Sequence, residues 1–170
     1  DEAVTNAGVR LRPRETPLGV FAGNAARSNA KIGLYVDDGK GSGDYIPETK
    51  AVFSGLTSVL NGERGFWIRG VNVEVSNALI AENPIGGTLA AFGATFKDST
   101  VMGRLAGSVS PGPAKTGFAF DDGPVSLQNV KFVRFAKGSS GLGFEMQNSE
   151  IPDPRSSFTK LSFEDAAAWS

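Results

Sequence analysis

Two short segments of the sequence carry the aromatic and charged side chains best suited to holding a ligand. The segments GLYVD and GFWIR share one pattern, in which alternate side chains of a strand fall on opposite faces. If the two strands pair, Tyr35 lies beside Trp67 and Asp37 lies beside Arg69, at about 4.8 Å. Aromatic rings stack on the C–H faces of sugars, and charged groups hold hydroxyls or carboxylates. The pattern therefore predicts a carbohydrate-binding surface.

A fifth candidate, Asp121, comes from the related segment GFAFD, which places it in the column of Asp37 and Arg69. We therefore predict a ligand-binding face formed by Tyr35, Asp37, Trp67, Arg69 and Asp121. The same residues allow a plainer interpretation. In it, an inserted loop at residues 37–50 covers the aromatic stripe, and Asp37 and Arg69 form an ordinary cross-strand ion pair.

Two Asp-Asp-Gly segments, at residues 37–39 and 121–123, suggest a second kind of chemistry. No motif demands a cofactor, but Ca²⁺ is the ion that such carboxylates would hold in a polysaccharide lyase. A basic residue would then remove a proton beside a uronate carboxylate, and Arg69, Lys131 and Arg134 are candidates by type. Carboxylates about 5–10 Å apart would instead suit a hydrolase. Since Asp-Asp-Gly is also an ordinary turn, the sequence assigns no catalytic residue and leaves enzymatic activity open.

The composition excludes several other kinds of site. The sequence contains no cysteine and no histidine, which removes disulfides, thiolate chemistry and the commonest general base. Its 17 basic and 18 acidic residues give a net charge of −1, which argues against nucleic acid or an anionic membrane as the main partner. Since no run of about 18 apolar residues occurs, we expect no transmembrane segment in this chain.

The elements that position these candidates recur along the chain. A first motif, an apolar residue followed by small or polar residues and a short alternation, returns at intervals of about 21 or 31 residues. Its copies begin at Phe21, Phe53, Val75, Phe96, Leu127 and Phe158. A second motif lies between them and begins at Gly33, Gly65, Gly86, Gly117 and Gly141. Because neither strand can bury its face alone, stacked copies must share one continuous core.

Two strands per repeat in a fixed order predict an all-β fold, a right-handed parallel β-helix of about five to six rungs with side loops. This is a single-stranded solenoid of the pectin lyase-like kind. Its interior ladder would contain Leu34, Val36, Phe66, Ile68, Leu89, Phe118, Phe120, Leu142 and Phe144. The alternative is an antiparallel sandwich, which has no reason to repeat one pattern in one order. We expect Asn24, Asn77 and Asn129 at corners, where Asn tolerates left-handed backbone.

The chain divides into a polar tail at residues 1–16 and one β-helix domain at residues 17–170. Segments rich in Gly, Pro and Ser are expected to form loops at 37–50, 104–115, 137–141 and 148–154. No amphipathic helix is available to cap the open strand edges at the ends of a solenoid. We therefore expect the chain to be part of a longer protein or to stack on a partner.

Three groups of residues follow a further pattern: Phe21, Asn24, Ala26 and Ser28; Gly65, Trp67, Arg69 and Gly70; and Asp122, Gly123, Pro124, Val125, Phe132 and Phe135. In this order and spacing they resemble the parallel β-helix region of the cell-migration-inducing, hyaluronan-binding protein family and its fibrocystin-like relatives. The resemblance extends over nearly the whole chain, from about residue 16 to residue 165. Two features differ: Arg27 stands where the family has His, and the N-terminal domain of the full-length animal proteins has no counterpart.

The resemblance implies an extracellular or secreted protein, at the cell surface or in a periplasm, whose partner is a polysaccharide. A glycosaminoglycan- or uronate-like polymer would then bind the outward sheet face, with neighbouring domains or stacked subunits as further partners. Because the two differing features bear on chemistry, no hyaluronidase activity is inferred from the resemblance. The alternative function is a structural or adhesive β-helix without catalytic activity, which works through protein–protein stacking.

Overall fold

The computed structural model describes residues 3–4, 10–37, 44–105, 107, 115–121, 123–136, 139–144 and 155–169. Within these ranges the chain forms strands, turns and irregular segments but no helix. The described residues therefore contain no helix that could span a membrane. In chain order the strands are β1 (Ala3–Val4), β2 (Arg10–Leu11), β3 (Phe21–Ala22), β4 (Ala25–Arg27), β5 (Ile32–Val36), β6 (Ala51–Ser54), β7 (Thr57–Val59), β8 (Arg64–Val71), β9 (Val73–Ser76), β10 (Leu79–Ala81), β11 (Ile85–Phe92), β12 (Ala94–Met102), β13 (Thr116–Phe120), β14 (Val125–Val133), β15 (Ser140–Phe144), β16 (Ser157–Thr159), β17 (Ser162–Glu164) and β18 (Ala167–Trp169).

These strands form two large sheets between which the chain alternates. Sheet I contains ten strands, and sheet II contains β5, β8, β11, β13, β15 and β18, with β5 and β18 at its edges. One or two strands of sheet I precede each strand of sheet II, and we call each such passage a layer. Among the described strands, every pairing in both sheets is parallel, and only β1 and β2 pair antiparallel. Parallel pairing throughout excludes the antiparallel sandwich.

The predicted alignment of the second motif is confirmed strand by strand. Tyr35 pairs with Trp67, and the column continues through Thr88, Ala119 and Gly143. Because strand side chains alternate, the residues flanking this column point to the opposite face, toward sheet I. The sequence repeat therefore defines which side chains face the core and which face outward in each layer.

Phenylalanines from the two sheets interleave to form the centre of the core. The ring centroid of Phe66 in sheet II lies 5.5 Å from that of Phe96 in sheet I, and Phe96 lies 5.6 Å from Phe118 in sheet II. All three side chains are fully buried, which stabilises the fold by about 2–3 kcal/mol each. Gly87 is the register partner of Phe66 and Phe118. Its missing side chain makes room for the Phe66 ring, which would lie 2.1 Å from an added Cβ.

The corners between strands use left-handed backbone at equivalent positions of successive layers. One column contains Gly23, Gly55, Asn77, Asp98, Asn129 and Lys160, and a second contains Ser28, Leu60, Glu82, Arg134 and Asp165. The corner prediction is confirmed for Asn77 and Asn129, whose φ angles are 53° and 52°. It is wrong for Asn24, because Gly23 with φ 64° occupies the corner instead. Glycine adopts this conformation without the steric cost that a side chain brings.

A ladder of asparagine side chains fixes the corner that precedes sheet II. Nδ2 of Asn29 donates to Oδ1 of Asn61 at 2.8 Å, and Nδ2 of Asn61 donates to Oδ1 of Asn83 at 2.9 Å. The backbone N–H groups of Asn29 and Asn61 donate to the same oxygens, at 3.1 and 2.9 Å. Because β5, β8 and β11 begin a few residues later, this ladder determines where the strands of the candidate site start.

The loop predicted at residues 37–50 interrupts the edge of sheet II and then returns to it. Tyr45 bridges to Gly70 in parallel, donating its N–H to the carbonyl of Arg69 at 3.1 Å. Nearby, Leu18 packs against the core, and the carbonyl of Arg14 accepts a hydrogen bond of 2.8 Å from Ile46. The predicted loops at 104–115 and 148–154 fall almost wholly outside the described residues.

Candidate functional site

Tyr35 and Trp67 lie side by side on the outer face of sheet II, as predicted. Tyr35 belongs to the edge strand β5 and is 50% exposed, whereas Trp67 on β8 is partly buried. The indole Nε1–H of Trp67 donates a hydrogen bond of 2.8 Å to Oδ2 of Asp37. Nε of Arg69 lies 3.4 Å from the same oxygen, and its guanidinium lies 5.7 Å from the Trp67 ring centroid. Four of the five predicted residues therefore form one contact group.

Asp121, the fifth predicted residue, joins this group through Arg69. Nη2 of Arg69 lies 4.0 Å from Oδ2 of Asp121, at the end of β13. Ala90, the register partner of Arg69 on β11, lies between them, and its short side chain lets the guanidinium reach across. Arg69 thus bridges two carboxylates that are each about nine-tenths buried. This arrangement includes the cross-strand ion pair of the plainer interpretation.

Arg64 is a site residue that the sequence analysis missed. Its guanidinium lies 4.7 Å from the Trp67 ring centroid, a cation–π distance. Nη2 and Nε donate to Oε1 of Glu63 at 2.8 and 3.2 Å, and Nη1 donates to Oγ1 of Thr88 at 3.4 Å. Strict alternation along β8 would place Arg64 on the face opposite Trp67. The rule fails because Gly65 also faces inward: a Cβ there would lie 2.8 Å from Ile80.

A cleft of about 550 Å³ opens beside these residues. The cleft is lined by residues in and next to β5 and by residues at the start of β8: Lys31, Ile32, Tyr35, Asp37, Glu63, Arg64 and Trp67. The volume lies within the range of small-molecule sites. Farther along the same outward column, Thr88 and Ala119 are buried, so the accessible side chains of this column are those of the first two layers.

The described part of the predicted loop at residues 37–50 leaves Tyr35 half exposed. Its returning part follows the edge of β8 at Gly70, beyond the cleft. The hydroxyl of Tyr45 donates to the carbonyl of Thr16 at 3.0 Å, on the side toward the N-terminal segment. Residues 38–43 lie outside the described part of the chain. The exposure of Tyr35 favours a binding face over a covered aromatic stripe.

The basic residues proposed by type for proton abstraction do not gather around the carboxylates. Of the three candidates, Arg69 alone contacts Asp37 and Asp121. Lys131 lies on sheet I and pairs with Glu164 at 2.5 Å, and this contact holds the pKa of Glu164 below its usual value. Arg134 occupies a corner after β14, with φ 56°. Among the three candidates, Arg69 is therefore the one next to both carboxylates, and it contacts them as an ion-pair partner.

The described residues also do not by themselves form a calcium site. Within the described ranges, no three acidic or other metal-ligating side chains come together. Asp37 and Asp121 are both engaged by Arg69, whose positive charge opposes a cation. Asp38 and Asp122, the second carboxylates of each pair, lie outside the described residues. The Ca²⁺ site suggested by the two Asp-Asp-Gly segments stays an untested prediction.

Three known proteins are similar to this chain over most of its length. Human cell surface hyaluronidase is 24% identical over 222 aligned residues, which include 93% of this chain. The cell migration-inducing and hyaluronan-binding proteins of mouse and human are 27% and 26% identical and cover 88% and 81% of it. These matches confirm the resemblance predicted from the motifs. The chain spans only 16%, 15% and 10% of the lengths of these relatives, and no protein-family model matches it.

Proposed function

We propose that this chain is a glycan-binding segment of an extracellular or cell-surface protein. In the proposal, a hyaluronan-like polysaccharide lies in the cleft between β5 and β8. The names of the similar proteins support a glycosaminoglycan ligand, since they describe a cell surface hyaluronidase and hyaluronan-binding proteins. The geometry supports the position of the ligand, because Tyr35, Trp67 and charged residues of the first two layers line one cleft.

The fold that carries this site is, in our proposal, a right-handed parallel β-helix of the pectin lyase-like kind. Six strands of sheet II stack in chain order, and every step between them passes through sheet I. Parallel strands joined by a crossover are almost always connected with a right hand. Such a solenoid keeps outward residues of successive layers about 4.8 Å apart, so side chains of neighbouring layers can contact one ligand.

The observation that carries the proposed function is the exposed ring of Tyr35 beside a cleft lined by charges of both signs. Tyr35 is 50% exposed at the edge of sheet II. An exposed aromatic ring offers a C–H stacking surface, while Lys31 and Glu63 at the corner offer a donor and an acceptor for hydroxyl or carboxylate groups. Together these features suit a polar chain with flat apolar patches, which is the chemistry of a polysaccharide.

Asp37 and Arg69 support the site from behind in this proposal. Oδ2 of Asp37 already accepts from Trp67 and contacts Arg69, so the carboxylate holds the indole in place. Arg69 in turn is tied to Asp121 in the fourth layer. A carboxylate occupied in this way is a poor general acid or base, because proton transfer would break its contacts. The proposed function is therefore binding, without a catalytic step assigned to these residues.

Calorimetric titration with hyaluronan oligosaccharides tests the proposal. We expect saturable binding that Tyr35→Ala weakens by about tenfold, since stacking on one ring contributes about 1–1.5 kcal/mol. Phe92→Ala is the matched control, because Phe92 is another exposed aromatic residue, at 53%, and does not line the cleft. Absence of binding, or equal loss in both variants, would overturn the proposed site.

A second candidate function, a structural or adhesive stack, is favoured by one observation. Core-facing side chains of the terminal layers, such as Leu34 and Phe163, are only partly buried, whereas Phe66 and Phe118 in the middle are fully buried. Further layers or another copy could cover these ends. Light scattering over a range of concentrations distinguishes the two functions: end-to-end association without oligosaccharide binding would favour the stack.

A further inference from the structure

The cleft beside Tyr35 contains two basic residues that differ in what they already contact. Arg64 is 8% exposed at its side chain, and its donors are directed at Glu63 and Thr88. Its guanidinium also lies over the Trp67 ring. Binding a ligand through Arg64 would require breaking these protein contacts, and an unpaired Glu63 or Thr88 would offset what the new contact contributes.

Lys31 presents the opposite case. It is exposed, lines the cleft, and forms no ion pair with any described residue. Its backbone carbonyl is held by the N–H groups of Glu63 and Arg64, at 2.8 and 3.2 Å, so the base of the side chain is fixed beside the cleft. A carboxylate entering the cleft can therefore pair with Lys31 without displacing any protein partner.

The ion pairs of the cleft also indicate Lys31 as the residue that is available to an acidic ligand. Asp37 contacts Arg69 and Glu63 contacts Arg64, whereas Lys31 is the one charged residue of the described lining that forms no ion pair with a described residue. One such cation suits a sugar chain with isolated carboxylates. Glu63, 43% exposed at its side chain, would repel a second anionic group at the same place.

We propose that Lys31 recognises the carboxylate of a uronate-type sugar in this cleft, and that Arg64 positions Trp67 without contacting the ligand. The inference rests on the proposed function, because it assumes that an oligosaccharide occupies the cleft. It adds the chemical group that the site distinguishes and the residue that distinguishes it. Stacking on Tyr35 would then hold the sugar ring, and Lys31 would select rings that carry an acid.

The test compares hyaluronan oligosaccharides with the same oligosaccharides after methyl esterification of their carboxylates. Lys31→Gln should weaken binding of the acid by about fivefold, as expected for one exposed charge pair, and leave binding of the ester unchanged. Lys31→Arg should retain the preference for the acid. Lys115→Gln is the matched control, because Lys115 precedes β13 at the position that Lys31 occupies before β5, and it lies outside the cleft.

Arg64→Lys separates positioning from ligand contact. In a Trp169→Phe background, Trp67 is the single tryptophan, and loss of the stacked guanidinium should shift its fluorescence before any ligand is added. Binding of acid and ester should weaken by the same factor, because the changed platform serves both. A loss confined to the acid in Arg64→Lys would overturn the assignment and make Arg64 the carboxylate-binding residue.

The outcomes separate this inference from the function on which it rests. If the acid and the ester bind equally well to the unmodified protein, or if Lys31→Gln weakens both equally, the role of Lys31 is overturned while glycan binding stands. If neither oligosaccharide binds, both the proposed function and the inference fail. If Lys31→Gln and Lys115→Gln weaken binding equally, Lys31 acts only through general electrostatic attraction. This outcome would also overturn the assignment.

Discussion

The indole N–H of Trp67 donates a hydrogen bond of 2.8 Å to the carboxylate of Asp37, which extends from the end of the neighbouring strand. This bond links the first two layers on their outer face. It also orients the indole ring, because a ring held by its N–H can no longer rotate about its side-chain bonds. The rigidity of the candidate site thus depends on one carboxylate that the ligand need not touch.

Replacement of Asp37 should therefore loosen the site and destabilise the fold. Asp37→Ala removes the acceptor of Trp67 and one partner of Arg69, at an expected cost of about 2–3 kcal/mol in the free energy of unfolding. Asp37→Asn keeps an oxygen that can accept from the indole, so its cost should be smaller. Urea denaturation of both variants measures the difference, and equal stability of both variants and the original protein would contradict the proposed support.

Gly87→Ala should be among the most destabilising changes that add only one methyl group. The new Cβ would lie 2.1 Å from Phe66, whose ring is fully buried and cannot move without disturbing Phe96. Overpacking of this kind costs about 1–3 kcal/mol. Gly19→Ala is the control, because a Cβ at Gly19 has no neighbouring atom within 4 Å. Thermal unfolding should separate the two variants clearly, and similar melting temperatures would refute the tight contact.

The order of strands and the outward column of sheet II could be predicted from the sequence because they depend on a repeat. Every copy of the second motif begins with glycine and alternates, so aligning the copies aligned Tyr35 with Trp67 and Trp67 with Thr88. Register in stacked strands follows such patterns closely, since a shift by one residue would expose the core face. Tyr35 and Trp67 followed directly from this alignment, and Asp37, Arg69 and Asp121 followed from the next outward column.

Contacts that depart from the repeat could not be predicted in this way. Arg64 lies on the outer face because Gly65 breaks the alternation, and a glycine gives no sign of the direction it faces. The asparagine ladder was missed for a similar reason. The number of residues between Asn61 and the start of β8 differs from the number between Asn83 and the start of β11. The two asparagines therefore do not align in the sequence repeat, and only the folded corner shows that they are equivalent.

This ladder makes Asn61 a sensitive position. Asn61 donates to Asn83 and Ser58 and accepts from Asn29, so Asn61→Ala would leave several buried or partly buried groups without partners. We expect a loss of about 2–4 kcal/mol in the free energy of unfolding. Asn24→Ala provides the control, since Asn24 is exposed and its side chain donates only to the nearby carbonyl of Ala22. Comparable losses in both variants would contradict the structural role of the ladder.

Calcium should have little effect on ligand binding at this site. Asp37 and Asp121 are the described carboxylates that a cation would need, and Arg69 already supplies them with positive charge. We therefore expect the affinity for hyaluronan oligosaccharides to change by less than about twofold between excess Ca²⁺ and a chelator. A much larger change would indicate that the paired residues Asp38 and Asp122 complete a metal site. Product analysis of the same mixtures would reveal any depolymerisation.

Alkaline pH should weaken the contact between the returning loop and the N-terminal segment. Burial raises the pKa of Tyr45 above its usual value of 10.0, although a hydrogen bond with the backbone of Leu18 acts in the opposite direction. Because the pKa of Tyr45 is higher in the folded state than in the unfolded state, the stabilisation that the protonated hydroxyl gives to the fold is fully present below pH 10. It is lost as the pH rises through the folded-state pKa. Tyr45→Phe cannot ionise, so its melting temperature should fall less than that of the original protein between pH 9 and about pH 12.

At neutral pH the Tyr45→Phe variant should be slightly less stable than the original protein, because the hydrogen bond of 3.0 Å from the Tyr45 hydroxyl to the carbonyl of Thr16 is lost. Parallel alkaline melting curves for the two proteins would show that Tyr45 ionises equally easily in the folded and unfolded states.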